Sequence, residues 1–360
     1  MKEMFMLISQ QRITPQIGDF LSLFRRENLE ILAKYFPQKN HYWVGSGREA
    51  LRQILSHLSV KNGLKKVGIP AFTCHVVLEA VKRAGGEVVF YDSGIVSSVE
   101  EIKKIIKEVQ VLVVSYNFGF LPKIDEIALL CRQNNVILIE DCAQALGAKY
   151  KGKLVGSFGD YAFYSFGISK NIGFTGAIIG TDSSLNLSGL KEYPFSKLMK
   201  VVLEGFLGRI FFNRFFYSLT HYFLREELSK EQEGLAYACP KMVRKIVLAQ
   251  MHRYEKIMEL RKKNGEYCLR ELAGKVNFVQ PLENSNPSWL YFTLLVEERE
   301  KFLQSLLNER VELGEMKTFR CLDGKSTLAL EAEKKHLTFA LYRSAREVKM
   351  IVEKIKKVCA

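Results

Sequence analysis

Val136-Ile137-Leu138-Ile139-Glu140-Asp141-Cys142-Ala143-Gln144-Ala145-Leu146-Gly147 is the stretch whose reading decides the fold. Four aliphatic residues in succession, closed by two acids and a small-residue turn, read as a short strand buried on both faces. A second strand is expected at 160–166, followed by Gly167-Ile168-Ser169-Lys170. In open parallel sheets, ligands bind beyond the carboxyl ends of the strands. Asp141 and Lys170 stand at two such ends and are the first candidates for chemistry.

The same alternation extends upstream. Helical spacing is expected at 48–58, 76–84 and 125–134, and strands at 66–70, 87–91 and 110–116, with a last strand at 177–181. Strands alternating with helices predict an α/β fold with a mostly parallel sheet covered on both faces. Beyond residue 183 the character changes. The segment 198–224 is rich in aromatics, a long basic helix is expected at 240–272, and short strands and helices fill the remainder. The expected division is a large domain at 1–239, with the aromatic segment as an insertion, and a smaller α+β domain at 240–360.

Composition bounds the function. The chain has 360 residues, 48% hydrophobic and 26% charged, as in soluble globular proteins. Lys plus Arg is 53 and Asp plus Glu is 39, a net charge of +14. That surplus favours phosphorylated metabolites, acidic membrane surfaces or nucleic acid, without choosing among them. No nucleic-acid motif accompanies the basic helix, so a solvated face is expected there. The seven cysteines include no CxxC pair and no neighbouring His cluster. Neither a metal site nor a disulfide framework is expected, and a reducing cytoplasm fits them.

A third element joins Asp141 and Lys170. Ser46-Gly47-Arg48 precedes a helix, where backbone N–H groups can hold an anion. Ser46-x-x-Glu49 also reads as a capping box, which needs no ligand. A strand-end acid, a lysine on a Ser/Gly loop and a helix-start anion site together suggest pyridoxal phosphate (PLP).

At these residues the chain resembles the DegT/DnrJ/StrS family of sugar aminotransferases, which have the PLP fold-type I architecture. Four segments carry the resemblance: Gly45-Ser46-Gly47-Arg48-Glu49-Ala50-Leu51, Ile69-Pro70-Ala71-Phe72-Thr73 with Phe90-Tyr91-Asp92, Glu140 to Gly147, and Gly156-Ser157-Phe158-Gly159-Asp160 through Ser165-Phe166 to Lys170-Asn171. The last two are the specific ones, in internal spacing and order. The resemblance implies that Lys170 is the Schiff-base lysine and the acid/base of proton transfer. It implies that Asp141 pairs with the pyridine nitrogen and Gln144 with the phenolic oxygen. Ser165 would bind the phosphate together with the Ser46-Gly47 turn. A dehydratase branch of the family carries His at the lysine position, so Lys170 points to transamination.

Departures from the family pattern also stand in the sequence. Arg48 replaces a threonine and would add a phosphate contact or face solvent. Cys74 replaces the aromatic that stacks on the cofactor ring, and neighbouring His75 is the candidate substitute. The family's GxNxR segment aligns with Gly234 to Ala238, which puts Ala236 and Ala238 at its two polar positions. One lost charge-assisted phosphate contact costs about 1.5–3 kcal/mol.

The segment 198–224 has eight aromatics between Phe206 and Phe223, interspersed with Arg209 and Arg214. It reads as a subunit contact, a membrane-interface element or a lid. The expected function is PLP-dependent amination of a keto-sugar, nucleotide-linked, with an amino-acid donor such as glutamate. A cytoplasmic homodimer is implied, with peripheral membrane contact through 198–224 and no nucleic-acid partner. The second reading is a catalytically degenerate, membrane-associated family member acting as a binding protein.

Overall fold

A computed structural model of the chain describes residues 16–24, 26–63, 65–167, 170–200, 202–203 and 236–359. Its main sheet holds seven strands: β1 (Asn40–Val44), β2 (Lys66–Pro70), β4 (Glu87–Tyr91), β5 (Val111–Ser115), β6 (Ile137–Asp141), β9 (Tyr161–Ser165) and β10 (Ala177–Thr181). Their order is β1-β10-β9-β6-β5-β2-β4. The five strands from β9 to β4 run parallel, and β10 lies antiparallel between β9 and β1. The strands of this sheet that were read from the sequence are present within two residues at either end. The edge strand β1 is absent from that reading, because Asn40-His41-Tyr42-Trp43-Val44 offers no clean alternation.

Strand β5 shows why the apolar runs form this sheet. All five of its residues are buried. Leu112 and Val114 enter one core, and Val111 and Val113 enter the other. A period of two with apolar residues at every position demands cover on both faces. Helix α1 (Gly47–Asn62) covers one face with Ala50, Leu51, Ile54, Leu55 and Leu58, spaced one turn apart. It ends at Gly63, whose φ of 62° is the left-handed conformation that glycine adopts freely. Helix α2 (His75–Arg83) joins it through Val77, Ala80 and Val81. Helices α3 (Val99–Ile105) and α4 (Ile124–Gln133) cover the opposite face.

The long basic helix expected at 240–272 is two helices, α5 (Lys241–Met251) and α6 (Tyr254–Leu272), meeting at His252-Arg253. No proline or glycine marks the break. Arg253 there donates to both carboxylate oxygens of Asp19, at 3.2 and 2.5 Å. The apolar spacing continues across it through Met251, Tyr254 and Ile257, all in the main-sheet core. The core of the second unit begins at Cys268 and Leu272. We propose that the domain boundary falls inside α6, between Ile257 and Cys268, rather than after residue 239.

That second unit is an antiparallel sheet of β11 (Asn277–Phe278), β13 (Tyr291–Leu295) and β15 (His336–Ala340), packed with α7 (Arg299–Asn308) and α9 (Ala345–Cys359). Its contact with α6 is tight at Gly265, where an added Cβ would run into the Trp289 indole. Gly265→Ala is expected to cost about 1–3 kcal/mol by overpacking. A lowered urea midpoint with an unchanged denaturant slope is the reading that checks it.

Two contacts draw the second unit toward the strand ends of the first. Strand β14 (Phe319–Cys321) pairs antiparallel with β3 (Phe72–Cys74), with Phe319 opposite Cys74. Helix α8 (Thr327–Lys335) is capped by Asp92, whose carboxylate accepts from the backbone N–H groups of Leu328 and Ala329 at 3.1 and 3.2 Å. A small antiparallel sheet of β12 (Ser285–Asn286), β7 (Lys149–Tyr150) and β8 (Lys153–Leu154) adds a further tie.

Candidate functional site

At the carboxyl ends of β5 and β6, Ser115 stands beside Asp141 in register, and Ser165 ends β9 two residues beyond Phe163, the register partner of Asp141. Asp141 is the last residue of β6 and is buried. One of its oxygens accepts from the Ser115 hydroxyl at 3.1 Å, and the other from the Ala143 N–H at 3.1 Å. Thr73 donates in turn to Ser115 Oγ at 3.2 Å. Burial pushes the Asp141 carboxyl above its usual value, against the Lys170 charge and these two hydrogen bonds.

The preceding acid turns the other way. Glu140 is wholly buried and accepts from the Gly156, Phe158 and Gly159 N–H groups at 2.7, 2.8 and 2.7 Å, and from the Tyr116 hydroxyl at 2.5 Å. It therefore organises the Gly-Ser-Phe-Gly turn that feeds β9, and the Glu-Asp pair divides into a structural residue and a strand-end candidate for chemistry. Glu140→Gln would set an amide donor against these N–H groups. The expected loss is about 2–4 kcal/mol of stability, checked by equilibrium urea unfolding.

Ser46 caps α1, its hydroxyl accepting from the Glu49 N–H at 3.2 Å. The Glu49 carboxylate does not complete a capping box; it bonds Arg52 and Gln53. Gly47 lies directly against Ser165: a Cβ at 47 would stand 2.9 Å from Ser165 Cβ. The helix start and the end of β9, 118 positions apart in the chain, thus form one cradle. Gly45 is held from behind, donating to the Tyr237 carbonyl at 2.8 Å. Arg48 is partly buried. It pairs with Glu79 at 3.2 Å, and Glu79 also stands 3.9 Å from His75 Nε2.

Gln144 is buried in the turn after β6 and accepts from the Phe118 N–H at 2.7 Å. Its Nε2 has no hydrogen-bond partner among the described residues. Phe118 has a φ of 58°, unusual for a non-glycine residue. Its ring packs on Phe319 and stacks on His336, with centroids 4.9 and 5.4 Å apart.

Lys170 lies in the loop between β9 and β10, where Phe166 and Phe174 are joined by a backbone hydrogen bond. Its ammonium is 5.9 Å from the Phe319 ring centroid. Its charge also reaches Cys74. Burial raises the Cys74 thiol, but hydrogen bonding to His75, the Lys170 charge and the Val76 N–H together hold it below its usual value. His75 begins α2, is 8% exposed, and its Nδ1 lies 3.4 Å from the Thr318 carbonyl.

The structure thus brings together Asp141, Gln144, Ser165, Lys170 and the Ser46-Gly47 turn. His75 and Arg48 form an adjoining cluster around Glu79. Ser115 and Phe319 belong to the same site and are missed by sequence reasoning, since a strand-end serine and a distant phenylalanine carry no local signal. Ala236 and Ala238 bond by backbone to Lys191 of the same chain, at 2.7 and 2.9 Å. Most of the aromatic segment, 204–224, lies outside the described residues. Among those described, no helix is long and apolar enough to cross a membrane.

These residues fit the cofactor that the resemblance implies. A buried Asp141 suits a protonated ring nitrogen, and the unpartnered Gln144 amide is a donor awaiting an acceptor. The Gly47–Ser165 contact leaves a floor of small groups for a phosphate.

Comparison with known proteins agrees in direction. The model of the DegT/DnrJ/EryC1/StrS aminotransferase family matches residues 13–336. GDP-perosamine synthase of Escherichia coli O157:H7 is 33% identical over 162 residues, 42% of this chain and 44% of that protein. The Vibrio cholerae protein of the same name is 26% identical over 297 residues, 81% of this chain and 73% of its own. Matches to several curated relatives span about half of their length.

Among solved structures, the sugar aminotransferase CalS13 from Micromonospora echinospora aligns with a TM-score of 0.72 at 16% identity, covering 98% of this chain and all of that one. E. coli GDP-4-keto-6-deoxy-D-mannose-3-dehydratase with bound hydrated PLP aligns at 0.73 and 16% identity, covering 97% and 99%. At that identity the likeness shows the fold.

Proposed function

Because the chain belongs to the DegT/DnrJ/EryC1/StrS aminotransferase family, we propose that it is a PLP-dependent aminotransferase for a nucleotide-linked keto-sugar. An amino acid such as glutamate donates the amine, and the product serves glycan biosynthesis. The observation that carries this reading is the convergence of Lys170, Asp141 and the Gly47–Ser165 cradle above the sheet. When bound, PLP supplies the electron sink and carries the amino group. Lys170 Nζ holds the cofactor covalently and moves the proton. Asp141 keeps the ring nitrogen protonated, and Gln144 Nε2 donates to the phenolic oxygen. Ser165 and the N–H groups following Ser46 bind the phosphate.

His75, next to Cys74 at the start of α2, would cover the ring face in place of the family's aromatic. Arg48, which pairs with Glu79 at 3.2 Å, would add its charge beside the phosphate site. Relatives named for GDP-, UDP- and dTDP-linked sugars support a nucleotide-sugar substrate, and a Salmonella typhimurium relative named as a lipopolysaccharide biosynthesis protein supports a place in glycan assembly. The seven cysteines are all free, in keeping with a reducing compartment, and a cytoplasmic homodimer is part of the same proposal.

The test is an absorption titration with PLP, then addition of glutamate without an acceptor sugar. A visible band that forms on the cofactor and bleaches with glutamate supports the first half-reaction. Restoration by one of a panel of nucleotide keto-sugars supports the second. No band at saturating PLP would overturn the enzyme in favour of a binding protein that has lost cofactor contacts at Cys74, Ala236 and Ala238.

A further inference from the structure

Arg261 is one of the largest wholly buried side chains, 1% exposed, yet no carboxylate pairs with it among the described residues. Its guanidinium lies 5.9 Å from the ring centroids of both Tyr254 and Tyr342. Both of its hydrogen bonds go to one residue: Nη1 donates to Asn171 Oδ1 at 3.0 Å, and Nη2 to the Asn171 carbonyl at 3.3 Å. Asn171 directly follows Lys170 and is itself buried. The Tyr254 hydroxyl stands 2.9 Å from the same Oδ1 and 2.8 Å from the Leu146 carbonyl, at the end of the turn that carries Gln144. One helical turn after Arg261, Asn264 Nδ2 donates to the Leu341 and Arg343 carbonyls, both at 2.9 Å.

A buried cation is costly, and an apolar side chain of similar volume would fill the space more cheaply. What methionine or leucine could not do is hold a side-chain oxygen and a backbone carbonyl of one residue at once. We propose that Arg261 is a positioning residue, whose guanidinium fixes the backbone at Asn171 and so aims the Lys170 amine into the site. Through Asn264 the same stretch of α6 ties this anchor to the segment after β15, so the placement of Lys170 follows the placement of the second unit. The proposal rests on Lys170 being the cofactor lysine.

The test compares the wild-type chain with Arg261→Met, Arg261→Lys and Asn171→Ala. In the protein without added cofactor, brief acetylation followed by peptide mass spectrometry gives the reactivity of Lys170 relative to the exposed Lys151. In folded Arg261→Met and Asn171→Ala the ratio is expected to change by about threefold or more as the amine loses its fixed placement, and Arg261→Lys is expected to lie nearer wild type. With PLP and glutamate, the first half-reaction should slow about 10- to 100-fold, with little change in the donor KM.

A folded Arg261→Met whose labelling ratio and half-reaction rate equal those of wild type overturns the proposal. If Arg261→Met does not fold, Asn171→Ala decides in the same way. If the wild-type chain shows no cofactor band, the functional reading fails instead, and the labelling ratio alone decides whether Arg261 sets Lys170.

Discussion

Lys170→Ala is expected to reduce amino transfer from glutamate by about 10³-fold or more, because the variant loses both the covalent attachment and the proton carrier. The remaining contacts at Asp141, Gln144 and the Gly47–Ser165 cradle are untouched. PLP should therefore still associate, but wash out on gel filtration. Lys170→His separates the two branches of chemistry within the fold. An imidazole can move a proton but cannot hold the cofactor covalently, so transamination is expected to be lost here as well. The measurement is single-turnover bleaching of the cofactor band by glutamate. A variant retaining more than about a tenth of the wild-type rate would remove Lys170 from the role, since general acid–base catalysis by a positioned side chain is worth at least about 10²-fold.

Asp141→Asn is the second substitution with a large expected effect, and it acts in two directions. With cofactor, a neutral amide cannot hold the ring nitrogen protonated. The half-reaction is expected to slow about 10²- to 10³-fold, the loss when a preorganised charge is removed from a water-excluded site. Without cofactor, the carboxylate is a burden. Burial raises the folded-state value of Asp141 above its value in the unfolded chain.

For such a group the stability contribution is fully present below the unfolded value, near pH 4, and is lost as pH rises through the folded value. Apo Asp141→Asn should thus melt higher than apo wild type at pH 7, with the gap closing as pH falls toward 4. Thermal melts across that range check the sign. A gap that widens on acidification would mean that Asp141 is stabilised by its neighbours rather than held ready for a cation.

Residues whose role depends on neighbours close in sequence were readable directly. The strand ending at Asp141 and the Ser/Gly loop before Lys170 are each confined to a few residues, whereas the roles of Gln144 and Ser165 came only with the family resemblance. Apolar runs buried on both faces also announced the parallel sheet. The break at His252-Arg253 was not readable, because the apolar spacing runs through it without a proline or glycine. Nor was the fate of Arg48, since nothing near it in the chain shows that Glu79 stands 3.2 Å away.

By itself, then, the sequence determined the layered α/β architecture and the identity of Lys170 and Asp141 as candidates, because periodicity and local motifs encode burial and strand ends. Only the tertiary structure decided what surrounds them. Ser115 bonds Asp141 from the neighbouring strand, Gly47 closes onto Ser165, and Phe319 comes from the second unit to face Lys170. Arg261 reaches Asn171 across 90 positions of chain. These are common residue types, and only the packing of distant segments against one another gives them their roles.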